Sequence, residues 1–315
     1  MTIDTHGVQT ETPSTRAREL LRGAYDLHVH IDPDVIKRRI TDVQLARRFA
    51  ELGMAGFVLK SHYVPTAERA SAVREVVPGV NVLGALVLNN FVGGMNAAAV
   101  EIAAREGARI VWMPTVDAAN EEKERATFKL GAKLPLWAKL QQDLREAGID
   151  LPPVRVVDER GALLPETRKV IEVVARHQLV LATGHLGRDE IFAVVDAAIA
   201  AGVHDVVVTH PDYPTQNISI DDQIKLAERG AWLERCVAPA HTGKVSWERM
   251  FEAIRATGPA HSILSTDLGQ PANPPVEDGL ALIADRLLAA GFSEDEVHTM
   301  AVKNSVRLAT EKADK

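Results

Sequence analysis

Short apolar runs rich in valine, isoleucine and leucine alternate with longer amphipathic stretches along most of the chain. AYDLHVHI comes first, followed by TDVQLARRFAELG, whose apolar positions recur every three to four residues. Thr41 or Asp42 caps that helix and Gly53 stops it. MAGFVLKSH and PTAERASAVREVV repeat the pair, with Pro65 in the first turn of the second helix. VNVLGALVLN, MNAAAVEIAAREG and ARIVWMPT follow, then QLVLATGH, DVVVTHP, AWLERCVAP and HSILSTD, each trailed by a helical pattern. Strands this uniformly apolar are covered on both faces, which predicts a parallel sheet with helical crossovers.

The predicted strand ends fall near His30, Lys60, Asn89, Thr115, His185, His210, Val237 and Asp267. Neighbouring ends lie about 25 to 31 residues apart, one βα unit, except for the 70-residue step from Thr115 to His185. That step carries a charged, proline-studded insertion at about 117–155, and VRVVDERGALL within the same extra segment reads as a small hairpin turning at Glu159 to Gly161. Eight parallel strands with helical crossovers predict an α/β fold, a (β/α)8 TIM barrel with an insertion after strand 4 and an extra C-terminal helix. That last helix, SEDEVHTMAVKNSVRLA, opens on a Ser293–Glu296 capping box. Residues 1–20 read as a tail and 21–315 as a single barrel domain. A doubly wound open sheet is the alternative, but it does not account for polar residues at the C-terminal ends of so many strands.

Composition narrows the partners. The net charge of −7 is spread along the chain, which argues against nucleic acid or a membrane surface as partner and leaves a small-molecule substrate. Cys236 is the only cysteine, so no internal disulfide forms, as expected of a cytoplasmic protein. MTIDTHGVQTETPSTRAREL lacks the apolar core of a secretory signal, and no run reaches the ~18 residues of a membrane span. A homo-oligomer is a weak expectation without an interface to point to.

The chemistry gathers at the strand ends, where a barrel places its active site. His28 and His30 are two residues apart on one strand and so share a face. With His185, His210 and Asp267 they form a nitrogen and oxygen set suited to a divalent ion, Zn²⁺ first and Mn²⁺ second.

These motifs carry a resemblance. DLHVH, TGH, VTHP, STD and the closing MAVKNSVRLA look like the amidohydrolase superfamily of metal-dependent hydrolases, with Ser305 where proline is commoner. The DLHVH and VLKSH pair resembles an uncharacterised branch of that superfamily. The resemblance implies His28, His30 and Asp267 on one metal, and His185 and His210 on a second or shared one. It also implies that Asp267 handles the proton of a metal-activated water.

Lys60 departs from the pattern, because the superfamily's bridging carboxylated lysine usually comes from strand four, which here ends WMPT. Three readings compete: a carbamate ligand bridging two metals, a cation for a substrate carboxylate or oxyanion, and a lysine reaching out to solvent. His62 follows on the same face as a candidate catalytic, substrate-facing group. Arg38 and Arg39, Asn89, Tyr213 and His241 are candidate substrate-binding residues at the rim. Cys236 reads as packing or pocket lining.

The expected activity is metal-dependent hydrolysis of an amide, cyclic amide or imide, or lactone bond in a small carboxylated molecule, with the amide-type bond favoured. A zinc-dependent decarboxylase or lyase is the runner-up, and a silent barrel acting as a scaffold is the third reading.

Overall fold

The computed structural model describes residues 2–3, 9–10, 12–122 and 134–310. Eight parallel strands follow one another in chain order: β1 (Tyr25–Val29), β2 (Gly56–Leu59), β3 (Asn81–Val87), β4 (Ala108–Trp112), β5 (Val180–Ala182), β6 (Val206–Val208), β7 (Trp232–Cys236) and β8 (Ser262–Ser265). Each pairs in parallel with the next, and helices fill the crossovers. Strands 3 to 7 residues long end one to three residues before the expected positions, so most of the predicted site residues lie in the curl just past each strand.

Closure of the barrel is made by the chain beyond β8. The Asp267 N–H donates to the His28 carbonyl and the His30 N–H to the Leu268 carbonyl, both at 2.8 Å. Val29 and Leu268 form a parallel bridge. The open-sheet alternative therefore falls away, because the first and last strands meet.

One buried cluster draws on every strand, including Leu27, Val58, Ile110, Val207 and Ile263, and fills the lumen. Two outer clusters lie between sheet and helices. The β1–β2 ladder slips between Asp26 and Val29. Leu27 thus joins the lumen while Val29 and Ile31 pack on the outer layer, which turns His28 and His30 inward. Burying each such aliphatic side chain contributes about 1.5–3 kcal/mol, so this in–out pattern fixes the register firmly.

The C-terminal segment plugs the far end of the barrel, where Leu308 and Ala309 enter the lumen cluster. Asn304 Nδ2 donates to the Ser262 and Pro259 carbonyls. Ser305 Oγ accepts the Tyr25 N–H at 3.0 Å and donates to the Ala301 carbonyl, a pairing open to a serine but not to a proline ring. The expected C-terminal helix begins with the Ser293–Glu296 capping box and runs through a π-helical turn, Thr299–Lys303.

Part of the stretch read as a tail is ordered against the barrel: Thr15–Leu20 is helical, and Arg18 pairs with Asp278. Within the predicted insertion, Leu136–Glu146 is a helix, while 123–133 lie outside the described residues. The expected hairpin turn is present as a Val157–Leu163 antiparallel bridge. No helix among the described residues is long and apolar enough to cross a membrane.

Candidate metal centre

Three ligand atoms from the barrel seam, on His28, His30 and Asp267, lie within 4.8 Å of one another. The Nε2 atoms of His28 and His30 each stand 3.1 Å from Asp267 Oδ1. Among the described residues Oδ2 makes no hydrogen bond, and the Asp267 side chain is 18% exposed. The backbone that delivers these groups is strained: Asp267 has φ 52° and His210 φ 25°, left-handed values that cost about 1–3 kcal/mol for a non-glycine residue. Gly269 makes the seam possible, since a Cβ there would sit 1.5 Å from the His30 carbonyl oxygen. Gly184, at φ 60° just before His185, is also tightly placed, since a Cβ there would sit 2.4 Å from the Met113 carbonyl oxygen.

Buried acceptors fix the tautomers. The Glu234 carboxylate lies 3.2 Å from His28 Nδ1 through both oxygens, and Glu121 Oε1 lies 2.9 Å from His185 Nδ1. Each pairing holds a ring proton on Nδ1 and so reserves Nε2 as the nitrogen for an ion, the carboxylate–histidine arrangement that supports metal ligands. His62 Nδ1 meets Thr115 Oγ1 at 2.8 Å. His30 Nδ1 and His210 Nδ1 are buried without a hydrogen-bond partner among the described residues.

Electrostatics sort the histidines. Burial and the Lys60 charge both oppose charging His28, yet the carboxylates of Glu234 and Asp267 outweigh them and raise it to about 9. Burial lowers His185 and His210 to about 3, reinforced by Lys60 at the first and by His185 at the second. Burial also holds His30 and His62 well below the usual imidazole range. Burial pushes Glu234 up, but the His28 charge and hydrogen bond bring it to about 2. Asp267 stays ionised for the same reason, with His28 and His30 outweighing its burial. Neutral imidazoles at His30, His185 and His210, ionised carboxylates and orphaned ring nitrogens together fit a divalent ion that takes nitrogen and oxygen ligands, and His28 would give up its Nε2 proton to such an ion.

Lys60 Nζ lies 2.8 Å from His28 Nε2 and 5.1 Å from the centre of the Trp112 ring, and the residue is 3% exposed. The lysine therefore stays within the barrel mouth rather than reaching out to bulk solvent. A cavity of about 320 Å³ opens above, lined by His30, Lys60, His62, His185, His210 and Asp267, with Arg38 and Tyr213 on its walls. His185 and His210 are 5.1 Å apart, centre to centre, but stand outside the tight trio with His28 and His30.

Residues 23–234 match a family of unknown function, DUF6282. The chain belongs to that family. No curated protein matches it. Solved structures similar to this DUF6282 chain share its fold at low identity. The probable dipeptidase PvdM of Pseudomonas aeruginosa is 10% identical, with 93% of this chain and 96% of that one covered, at a TM-score of 0.63. An amidohydrolase from the same organism is 11% identical, covering 93% and 98%, at a TM-score of 0.58. A metallopeptidase from Rhodobacter sphaeroides, liganded with a phosphinate mimic of the dipeptide L-Ala-D-Ala, is 13% identical, covering 92% and 99%, at 0.58. The (β/α)8 barrel read from the sequence is thus the fold of the DUF6282 chain, and these structures share it.

Other predicted site residues of this DUF6282 protein are placed differently from expectation. Arg39 turns away from the cavity, its Nη1 donating to the Pro271 and Asn273 carbonyls and tying the β1 loop to the β8 loop. Asn89 is wholly buried beside the site, where its amide holds Thr115 and the His62 carbonyl. His241 ends the short helix Val237–His241, is exposed, and does not line the cavity. Cys236 is buried 3.8 Å from His28 Nδ1, where burial and the neighbouring carboxylates push its thiol up and keep it protonated.

Sequence reasoning missed Glu234 and Glu121. The signal for Glu234 was the pair of charges inside WLERC. Strand alternation sends Glu234 to His28, and its neighbour Arg235 to Asp212 on the outer side, at 2.9 Å. Nothing local marks Glu121, in the insertion, as a partner for a histidine 64 residues later.

Proposed function

We propose that this protein is a metal-dependent hydrolase of a carbonyl bond in a small carboxylated molecule, an amide-type C–N bond before a lactone. The observation that carries this reading is the convergence of His28, His30 and Asp267 at the floor of the cavity, with His28 braced by Glu234. His28, His30 and Asp267 would hold one divalent ion, Zn²⁺ before Mn²⁺, with His185 and His210 nearest to supply further ligands. Such an ion, when bound, acidifies a water and polarises a carbonyl oxygen.

The protein's own groups do the remaining work. Asp267, ionised and open to the cavity on one side, takes the proton of the attacking water and returns it to the leaving nitrogen as the C–N bond breaks. The water oxygen ends on the carbonyl carbon, so the products are an acid and an amine. His62, neutral and held by Thr115 beside His30 at a ring separation of 4.8 Å, orients the substrate. The buried charge of Lys60 beside His28 supports the negative charge that gathers on the carbonyl oxygen.

The same placement of Lys60, as a cation next to a compact three-donor site, also favours a decarboxylase as the second reading. Product analysis separates the two: an acid with an amine or alcohol against carbon dioxide. Metal analysis of purified protein supplied with Zn²⁺ is the first test, with about one ion per chain expected. A protein that binds none loses both enzyme readings. Asp267→Asn should then lower kcat by about 10²–10⁴-fold. Near-normal turnover in that variant removes Asp267 from the reaction.

A further inference from the structure

Two features of the cavity have no part in holding a metal. Arg38 is only 6% exposed, its N–H donates to Asp32 Oδ1 at 2.9 Å and its Nε to Asp34 Oδ2 at 2.7 Å, yet its Nη groups have no partner among the described residues. It lines the cavity. An arginine clasped through Nε with its outer fork facing a cavity is pre-organised to take a carboxylate bidentately. The second feature is apolar. Leu136 lines the same cavity while 59% exposed, beside Trp137 and Pro135 from the start of the same helix and Val116 from the chain after β4. A large side chain left so open at a cavity wall calls for an apolar occupant.

We propose that the substrate is an amphiphilic carboxylate, with an anionic group held by Arg38 and an apolar or aromatic group received by Leu136 and Trp137. This deepens the hydrolase reading and rests on it for the scissile bond. The cavity, about 320 Å³, stands at the small end of ligand pockets, so it accommodates one ring and a short acidic arm rather than a peptide chain.

Calorimetric titration of the zinc-loaded protein tests the proposal with five probes: N-benzoylglycine and its two homologues lengthened by one and two methylenes, N-acetylglycine, and benzamide. At least one N-benzoyl probe should bind at least tenfold tighter than either single-featured probe. Arg38→Gln should cut that affinity at least tenfold and leave benzamide within twofold. Leu136→Ser with Trp137→Ala, one exposed and one half-buried position outside the buried core, should bring N-benzoylglycine down to the N-acetylglycine level. Arg38→Lys, retaining the charge, should keep part of the preference and so controls for misfolding in Arg38→Gln. Equal binding of all probes, or a preference that survives both sets of changes, overturns the proposal. Tight binding of the N-benzoyl probes without hydrolysis of any amide counts against the hydrolase reading alone. Hydrolysis of uncharged amides with no carboxylate preference counts against this proposal alone.

Discussion

Glu234 illustrates how one side chain organises this site. It is not part of the trio, yet its carboxylate fixes which nitrogen of His28 faces Asp267. Glu234→Gln keeps the shape and removes the charge, so metal affinity should fall about 10–100-fold, read by chelator competition. Unchanged affinity would mean that the tautomer of His28 is set elsewhere. The site histidines and Asp267 were legible because strand periodicity and barrel geometry both point to the same rim. Glu234 was not, because WLERC places two charges side by side and only the finished register decides that Glu234 meets His28 while Arg235 meets Asp212. Arg38 and Arg39 pose the same problem in a loop: adjacent in sequence, one enters the cavity and the other ties two loops together.

At the scale of elements, the seam between β1 and the chain after β8 matters most. Gly269 sits there at φ 134° with no room for a methyl group. Gly269→Ala should therefore destabilise the fold by more than about 2 kcal/mol in urea titration and weaken metal binding along with it. A variant as stable as the parent would show that the backbone yields there at no cost. The strands themselves were legible because each is a short, wholly apolar run, whereas their ends were read one to three residues long. Apolarity stops marking a strand where the chain curls to present a polar group, as at His210 and Asp267 with their left-handed φ. Ser305 was legible as a departure from proline but not as a partner for the Tyr25 N–H, a contact across 280 residues.

Across the whole molecule, the repeat of βα units made the barrel legible before any site residue was considered. What it could not show is which of the rim residues share an ion. His185 and His210 come from separate strands, and only the packed lumen sets them outside the 4.8 Å trio. An ion bound to the folded barrel alone stabilises it by mass action. Zn²⁺ at about 100 times its Kd should contribute about 2.7 kcal/mol and raise Tm by several degrees, seen by calorimetry. A His28→Ala, His30→Ala variant should show no such rise. An equal rise in that variant would place the ion elsewhere.

The trio also has an order in time. His28 and His30 leave the ribosome early, while Asp267 follows more than two hundred residues later, on the chain that closes the barrel against them. A nascent chain therefore carries two histidines whose shared carboxylate partner arrives only after the last strand. A product of translation that stops before Asp267 lacks both the seam that holds His28 and His30 and the carboxylate they face, so this site assembles only in a chain that reaches past β8.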